Sequence, residues 1–416
     1  MILYINMGVY MVLRKVLLIF LWFFLVCFRL FAETILLELK ANDVETRSEI
    51  ANIIHLDQIS DDRVFSLVSE YDFIKLKSKM PEAVISADLV DEEANNFFSI
   101  DEAQEFPVGE ERFHTYQEMS EYLVKLENDF PHLMSLSSIG QSVEGLELYV
   151  ARVSDDSVKE KLSEKKAIVY MATHHAREHV STELAISFLE ELLQRYDTDE
   201  NIRQLLNDIE IYVLPMVNPD GAMYDIKNRK YQWWRKNRKK NNENSYGIDL
   251  NRNYSFGWGS GGSSHDPRSD VYMGTSAFSE PETAAIRDFF ISKPNITTAL
   301  SLHTFSELIL YPWGGRSEGV GGADEDLFKS MAEDMANMNH YNPMQSSDLY
   351  IASGDTCDWA YGELKIICFT FELSPSSMWG GGFYPGSDLI DHVFADNWEP
   401  MIYLAKRAKD PRSPQW

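Results

Sequence analysis

Hydrophobic and polar positions follow two rhythms along this chain. Runs of period two, or of unbroken apolar character, occur at Glu147–Val153, Ala167–Ala172, Ile209–Val217, Thr298–Leu302 and Ile366–Phe371, and these predict strands. Between them the apolar spacing lengthens to three and four. Leu184, Phe188 and Leu192 form one stripe inside a helical pattern from Ser181 to Tyr196, and Ile286 and Phe289 lie on a helix opened by Ser279-Glu-Pro-Glu282. Thr115-Tyr-Gln-Glu118 has the form of a capping box and predicts a helix through Leu126. Strands alternating with helices in this way predict an α/β unit, a mixed and largely parallel sheet with helices on both faces. No internal repeat or low-complexity tract interrupts the pattern.

The chain ahead of Phe113 reads differently. Arg14 and Lys15 precede the apolar run Val16 to Phe28, and Ala32 offers a small residue before Glu33. Such a stretch predicts a secretory signal over residues 1–32, too short for a comfortable membrane span. Met11 is an alternative start, because residues 1–10 add nothing to it. Residues 33–111 form a second, more acidic block, with 19 acidic against 6 basic residues between 33 and 110. A strand at Ile35–Leu39, a helix around Val44–Ile53 and mixed runs at Val64–Val68 and Phe73–Leu76 predict a small α/β unit. Asp88 to Glu111 is rich in acid and poor in periodic apolar residues, which reads as an exposed linker open to proteolysis.

The formal charge of −27 deepens once the cations Arg14, Lys15 and Arg29 leave with the signal. That surface argues against nucleic acid or an anionic membrane as partner. After the signal only Cys357 and Cys368 remain, so arithmetic allows one disulfide without requiring it.

The chemistry begins at Thr173-His-His-Ala-Arg-Glu-His179, between the Ala167 strand and the Ser181 helix. Zinc takes imidazole nitrogen and carboxylate oxygen, and a catalytic site leaves one position open. His175 and Glu178 can reach one ion where strand turns into helix. The same letters also match H-x-x-E-H over His175 to His179, which requires a helix through the whole motif. In open α/β sheets ligands bind beyond the carboxyl ends of the strands. His175 follows one predicted strand, Pro219-Asp220-Gly221 another, His303 ends a third and Glu372 a fourth, so these groups share a rim.

His175-Ala-Arg-Glu178, Trp234-Arg-Lys-Asn-Arg238, Asp249-Leu-Asn-Arg252-Asn253, Ser301-Leu-His303, Tyr350-Ile-Ala-Ser-Gly354 and Phe369-Thr-Phe-Glu372-Leu373 occur together and in order. The set resembles the zinc metallocarboxypeptidases of the carboxypeptidase A/B and T type, peptidase family M14, over roughly residues 113–406. The resemblance implies a catalytic domain at residues 112–416 with a mixed eight-stranded sheet. It implies one zinc ion held by His175, Glu178 and His303, which leaves His179 outside the ligand set, with Asp249 orienting His175. Glu372 is then the general base, Arg238 the oxyanion partner, and Arg252, with Asn251 and Tyr350, the clamp for a substrate's terminal carboxylate. Arg177 resembles a residue of the next subsite inward. Asp355, Thr356 and Cys357 correspond to the floor of the pocket for the terminal side chain.

Cys357 stands where strictly basic-specific members carry an acid, and Asp355 is an acid at a neighbouring position, as in dual-specificity bacterial members. A broad pocket for apolar or aromatic termini, with tolerance of Lys or Arg, is the expectation. Phe305 stands where animal members carry Tyr. The 33–111 block resembles an activation segment that covers the cleft until cut. The implied protein is a secreted or periplasmic monomer, free of the membrane after signal removal, acting on peptides with a free C-terminal carboxylate. Two alternatives are a hydrolase of diaminopimelate-containing cell-wall peptides on the same scaffold and a catalytically silent peptide-binding protein. Retention of Glu372 and Arg238 disfavours the silent one.

Overall fold

The computed structural model describes residues 34–60, 62–90, 104–157 and 165–413. The expected signal over residues 1–32 and the stretch 91–103 of the expected linker lie outside the described residues. Among the described residues no helix is long and apolar enough to cross a membrane.

The first unit is small. On β1 (Thr34–Lys40) Ile35, Leu37 and Leu39 point inward between half-exposed neighbours, the period-two pattern of a strand with one buried face. With β2 (Gln58–Ser60), β3 (Arg63–Ser69) and β4 (Val84–Leu89) it forms an antiparallel sheet in the order β2-β3-β1-β4. Helices α1 (Val44–Ala51) and α2 (Glu70–Lys79) add Ile50 and Leu76 to its core. Asp43 and Ser69 cap them by accepting from the amides of Thr46 and Asp72, which satisfies donors that a helix start leaves free.

The second unit holds the strands β5 (Met134–Gln141), β6 (Glu147–Val153), β7 (Lys166–Ala172), β8 (Ile209–Leu214), a hairpin of β9 (Lys240–Asn242) and β10 (Ser245–Tyr246), β11 (Ile296–Thr304), β12 (Leu308–Tyr311), β13 (Asn342–Gln345) and β14 (Ile367–Leu373). Apart from the hairpin they make one eight-stranded sheet, β13-β12-β14-β11-β7-β8-β6-β5. Its centre, β14-β11-β7-β8, is parallel and its flanks bring in antiparallel pairs. The mixed architecture is the expected one. Strands β7 and β11 are buried almost throughout, as parallel strands covered on both faces must be.

The helices are α3 (Tyr116–Asp129), α4 (His179–Arg195), α5 (Glu200–Asp208), α6 (Pro219–Asp225), α7 (Pro281–Ser292), α8 (Gly322–Asn339), α9 (Thr356–Leu364) and α10 (Ile390–Arg407). Phe188 of α4, Phe328 of α8 and Trp398 of α10 belong to one core cluster, and Ile286 of α7 and Trp359 of α9 to another. Phe188, Leu189 and Leu192 are fully buried, each contributing roughly 2 kcal/mol from apolar burial.

Several expectations change in detail. The capping box at Thr115 and Glu118 is present. The helix at Ser279-Glu-Pro-Glu282 starts at Pro281 with no side-chain cap, because Glu280 is buried and accepts from Asn237 Nδ2 at 2.8 Å and Ser279 Oγ at 2.9 Å. Strands β5, β12 and β13 were not expected. The first is a polar edge and the others are only four residues long. The C-terminal part of the expected linker is largely exposed, as expected, but anchored at two points: Gln104 pairs with Lys227, and Phe106 is buried against Phe113 and edge-on to His179.

The small unit lies over the carboxyl ends of the central strands. Asn52 Oδ1 accepts from the Gly262 amide at 2.8 Å, Ser48 Oγ from Ile351 at 3.0 Å and Gln58 Oε1 from Met378 at 2.8 Å. Leu67 packs with Phe305 and Phe383.

Candidate active site

Where β7 ends, Thr173 turns at φ 56° and its amide donates to Ser181 Oγ at 3.0 Å. The chain therefore crosses the sheet rim before α4 starts at His179, and residues 173–178 are not helical. That geometry rules out the H-x-x-E-H arrangement. His179 faces away and meets Asp225 Oδ2 at 2.9 Å.

His303 ends β11 and sits in register with Glu372 on β14. Glu178 spans the two imidazoles, with Oε1 at 2.8 Å from His175 Nδ1 and Oε2 at 2.9 Å from His303 Nδ1. The three residues are buried, and one ligand atom from each lies within 4.8 Å of the others. Two neutral nitrogens and one carboxylate oxygen at this spacing fit the three-ligand set of a catalytic zinc site. Burial and then Glu178 act on His303 in opposite senses, and burial wins, leaving its pKa below the ordinary value. The imidazole is thus neutral and able to donate a lone pair.

Behind the ligands, Asp249 Oδ1 accepts from His175 Nε2 at 3.2 Å and from the Asn251 amide at 3.0 Å. Its other oxygen accepts from Arg235 Nε at 3.0 Å, and Arg235 Nη2 lies 2.9 Å from it as an ion pair. Burial alone would raise the Asp249 carboxyl; Arg235 and His175 overcome it and hold the group well below the usual carboxylate range. Glu372 behaves oppositely. Burial and Glu178 push it well above the usual range against the pull of Arg235 and Arg252, and a divalent cation beside it would draw it back down.

A cavity of about 430 Å³ opens beside these groups, with His175, Glu178, Arg235, Glu372 and Phe383 in its wall. His55 and Asp57 of the small unit are also in that wall. A smaller recess of about 80 Å³ is lined by Asn251, Arg252, Tyr350, Asp355 and Glu372. Arg252 Nε donates to the Gly262 carbonyl at 2.9 Å. Gly262 is at φ +61°, and a Cβ there would lie 1.8 Å from the Ile351 carbonyl oxygen, so only glycine lets these loops close together. Asp355 caps α9 with Oδ1, while its buried Oδ2 has no hydrogen-bond partner. Burial raises its pKa against the α9 amides and Arg252.

Three expected residues are elsewhere. Arg238 lines neither space: its guanidinium lies 3.5 Å from the centre of the Tyr224 ring and 4.9 Å from those of Trp234 and Tyr246. The chain at residues 231–239 is irregular, so two arginines three apart diverge, and it is Arg235 that reaches the cleft. Thr356 turns away from the recess, its amide and hydroxyl donating to Asn251 Oδ1 at 2.9 and 3.0 Å. Cys357 is buried in the core and bonded to Cys368 on β14, which takes it out of the pocket floor.

Arg177 lies behind the cleft wall and is engaged there. Its Nη2 donates to Asp57 Oδ1 at 2.7 Å and its guanidinium lies 4.0 Å from the centre of the Phe383 ring. Tyr350 Oη is 3.4 Å from His55 Nδ1. Sequence reasoning missed Arg235, His55, Asp57 and Phe383. Arg235 lies inside a motif already singled out, and no spacing signal marks the others. It also passed over His174, which stacks on His303 with ring centroids 5.6 Å apart and whose pKa is held well below the ordinary value by burial and then by His303 and His175.

A sequence model of the family described as zinc carboxypeptidase matches residues 119–400. A zinc carboxypeptidase of Saccharothrix mutabilis subsp. capreolus is 34% identical over 296 residues, covering 69% of this chain and 67% of that protein. Carboxypeptidase A4 of Mus musculus is 31% identical over 327 residues, covering 77% and 75%. Among solved structures, carboxypeptidase A from Helicoverpa armigera has TM-score 0.73 at 24% identity, covering 91% of this chain and 98% of that one. Bovine thrombin-activatable fibrinolysis inhibitor, solved with tick carboxypeptidase inhibitor, has TM-score 0.62 at 28% identity, covering 71% and 97%.

Proposed function

The chain belongs to the zinc carboxypeptidase family, and from that premise we propose that it removes the terminal residue of peptides and proteins bearing a free C-terminal carboxylate. One observation carries this reading: a His–Glu–His donor set, the carboxyl of Glu372 and the guanidinium groups of Arg235 and Arg252 converge on one buried cleft. His175, Glu178 and His303 would hold the single zinc ion, with Asp249 orienting His175, as metal-bound imidazoles require. Zinc when bound supplies Lewis acidity and brings a water's pKa towards neutrality.

Glu372 takes the attacking water's proton and returns it to the leaving amine. Arg235, charged at all relevant pH values and fixed by Asp249, faces the oxygen on which negative charge develops. Arg252 pairs with the terminal carboxylate, aided by Asn251 and Tyr350; a forked cation matches that group in two bonds. Arg177, beside Phe383, contacts the residue inward of the scissile bond. Asp355 gives the recess a carboxyl near Leu310, Leu349 and Ala352, which suits apolar or aromatic termini with tolerance of Lys and Arg.

Residues 33–111 act as an activation segment, whose Asp57 occupies Arg177 and whose His55 and Asp57 line the cleft. The Cys357–Cys368 bridge supports export to an oxidising compartment, periplasmic or extracellular, and the enzyme works there as a monomer. Metal analysis of the trimmed protein, together with residue release from matched peptides ending in Phe, Leu, Arg and Glu, tests the reading. Bound zinc and release of Phe and Leu from free-acid peptides, but not from their C-terminal amides, are expected. Protein without zinc, or equal release from amides, overturns the activity; a marked preference for Glu overturns the pocket assignment.

A further inference from the structure

His303 offers Nδ1 to the metal-binding face and Nε2 to Ser301 Oγ at 2.9 Å. Ser301 Oγ lies 3.4 Å from His174 Nδ1, and His174 Nε2 lies 3.1 Å from Thr356 Oγ1 and 2.9 Å from Tyr254 Oη. Thr356 passes the chain on to Asn251 Oδ1, at 3.0 Å from its hydroxyl and 2.9 Å from its amide. The Asn251 amide donates to Asp249 Oδ1, which accepts from His175 Nε2. The far nitrogens of both metal-facing imidazoles therefore each lead to Asn251, that of His303 to its side-chain oxygen and that of His175, through Asp249, to its backbone N–H. His174, Ser301, Asp249 and Thr356 are all at most 1% exposed, so water does not compete for the bonds among them, while Asn251 at the recess is half-buried.

The direction of the bonds follows from the chemistry. An imidazole that gives its Nδ1 lone pair to a cation carries its proton on Nε2. His303 then donates to Ser301, Ser301 donates to His174 Nδ1, and the neutral His174 ring must donate from Nε2. Tyr254 Oη at 2.9 Å and Thr356 Oγ1 at 3.1 Å share that proton, and Thr356 donates its own hydroxyl proton to Asn251 Oδ1. With its oxygen taken twice, the Asn251 side chain has only its NH₂ left for the recess, the end that can meet a carboxylate.

We infer that His174 is a positioning residue that couples the metal-binding imidazole of His303 to the carboxylate-facing amide of Asn251, through Ser301 on one side and Thr356 on the other. The inference rests on the metal and clamp roles assigned above. The two ends of such a chain must feel each other, and chain members must respond as a unit rather than additively.

The test crosses the ends. Thr356→Val keeps the shape and removes the hydroxyl beside Asn251; the expected result is zinc affinity about tenfold weaker by chelator competition, the effect typical of groups behind metal ligands. Ser301→Ala cuts the chain beside His303, and at saturating zinc it raises KM for a dipeptide substrate several-fold with a smaller change in kcat. His174→Phe keeps the stacked ring, removes both nitrogens and produces both losses; adding Thr356→Val to it costs no further zinc affinity. Melting of the zinc-free proteins scores folding separately, and Thr356→Val and Ser301→Ala decide the matter if His174→Phe does not fold. Unchanged zinc affinity in Thr356→Val, unchanged KM in Ser301→Ala, or full additivity overturns the coupling. If the wild type releases no C-terminal residue, the activity reading fails, while zinc affinity of the His174→Phe and Thr356→Val pair still decides whether the chain is coupled.

Discussion

Arg235 and Arg238 show how much a single side chain's direction decides. Both lie in one basic motif and both are forked cations, yet only Arg235 is buried beside Glu178, Asp249 and Glu372, where a charge in a water-poor site acts on a developing oxyanion at full strength. Arg235→Ala is expected to lower kcat by about 10²–10³-fold. Arg238→Ala, which removes contacts with the Tyr224, Trp234 and Tyr246 rings, leaves kcat unchanged and costs about 0.5–1 kcal/mol of stability. Steady-state kinetics and denaturant melts on the two variants check this, and the reverse order of kcat losses would return the role to Arg238. At this scale His175, Glu178, His303, Glu372 and Arg252 were legible from their motifs. The choice between arginines was not, because an irregular segment has no period from which to read orientation.

At the scale of elements, the site is made where parallel strands stop. His303 and Glu372 are in register on β11 and β14, so a residue pattern in two distant strands becomes one pair at the rim. The strand–helix alternation was visible in apolar spacing, whereas short or polar edge strands such as β5 and β12 carry too little periodicity to be seen. The disulfide belongs to this scale, since it ties α9 to β14 across a separation of 11 residues. Closing a loop of this size restricts the unfolded chain by about 2–3 kcal/mol. The paired change Cys357→Ala and Cys368→Ala should lower the urea midpoint accordingly while leaving the preference among C-terminal residues as it was. A changed preference would put Cys357 back in the pocket.

For the whole molecule, the question is what the small unit does to the large one. Its Asp57 is bound to Arg177, its His55 and Asp57 line the cleft, and Leu67 covers Phe305 and Phe383, so peptides meet the segment before they meet Glu372. Cleavage N-terminal to Gln104 should raise kcat/KM on a peptide substrate at least tenfold, and an unchanged rate would show that the segment is only a folding aid. The trimmed enzyme keeps Phe106, which is buried against Phe113 and His179. Local spacing and composition determined the α/β alternation, the acidic first block and the residue types of the site, because those depend on periods of two and 3.6 and on side-chain chemistry that any reader of the chain can see. Only the tertiary structure decided that Arg235 rather than Arg238 enters the cleft, that Cys357 leaves it, and that His174 lies between Ser301 and Thr356. Each of those depends on where a side chain points after segments far apart in sequence have packed, and no local pattern encodes that direction.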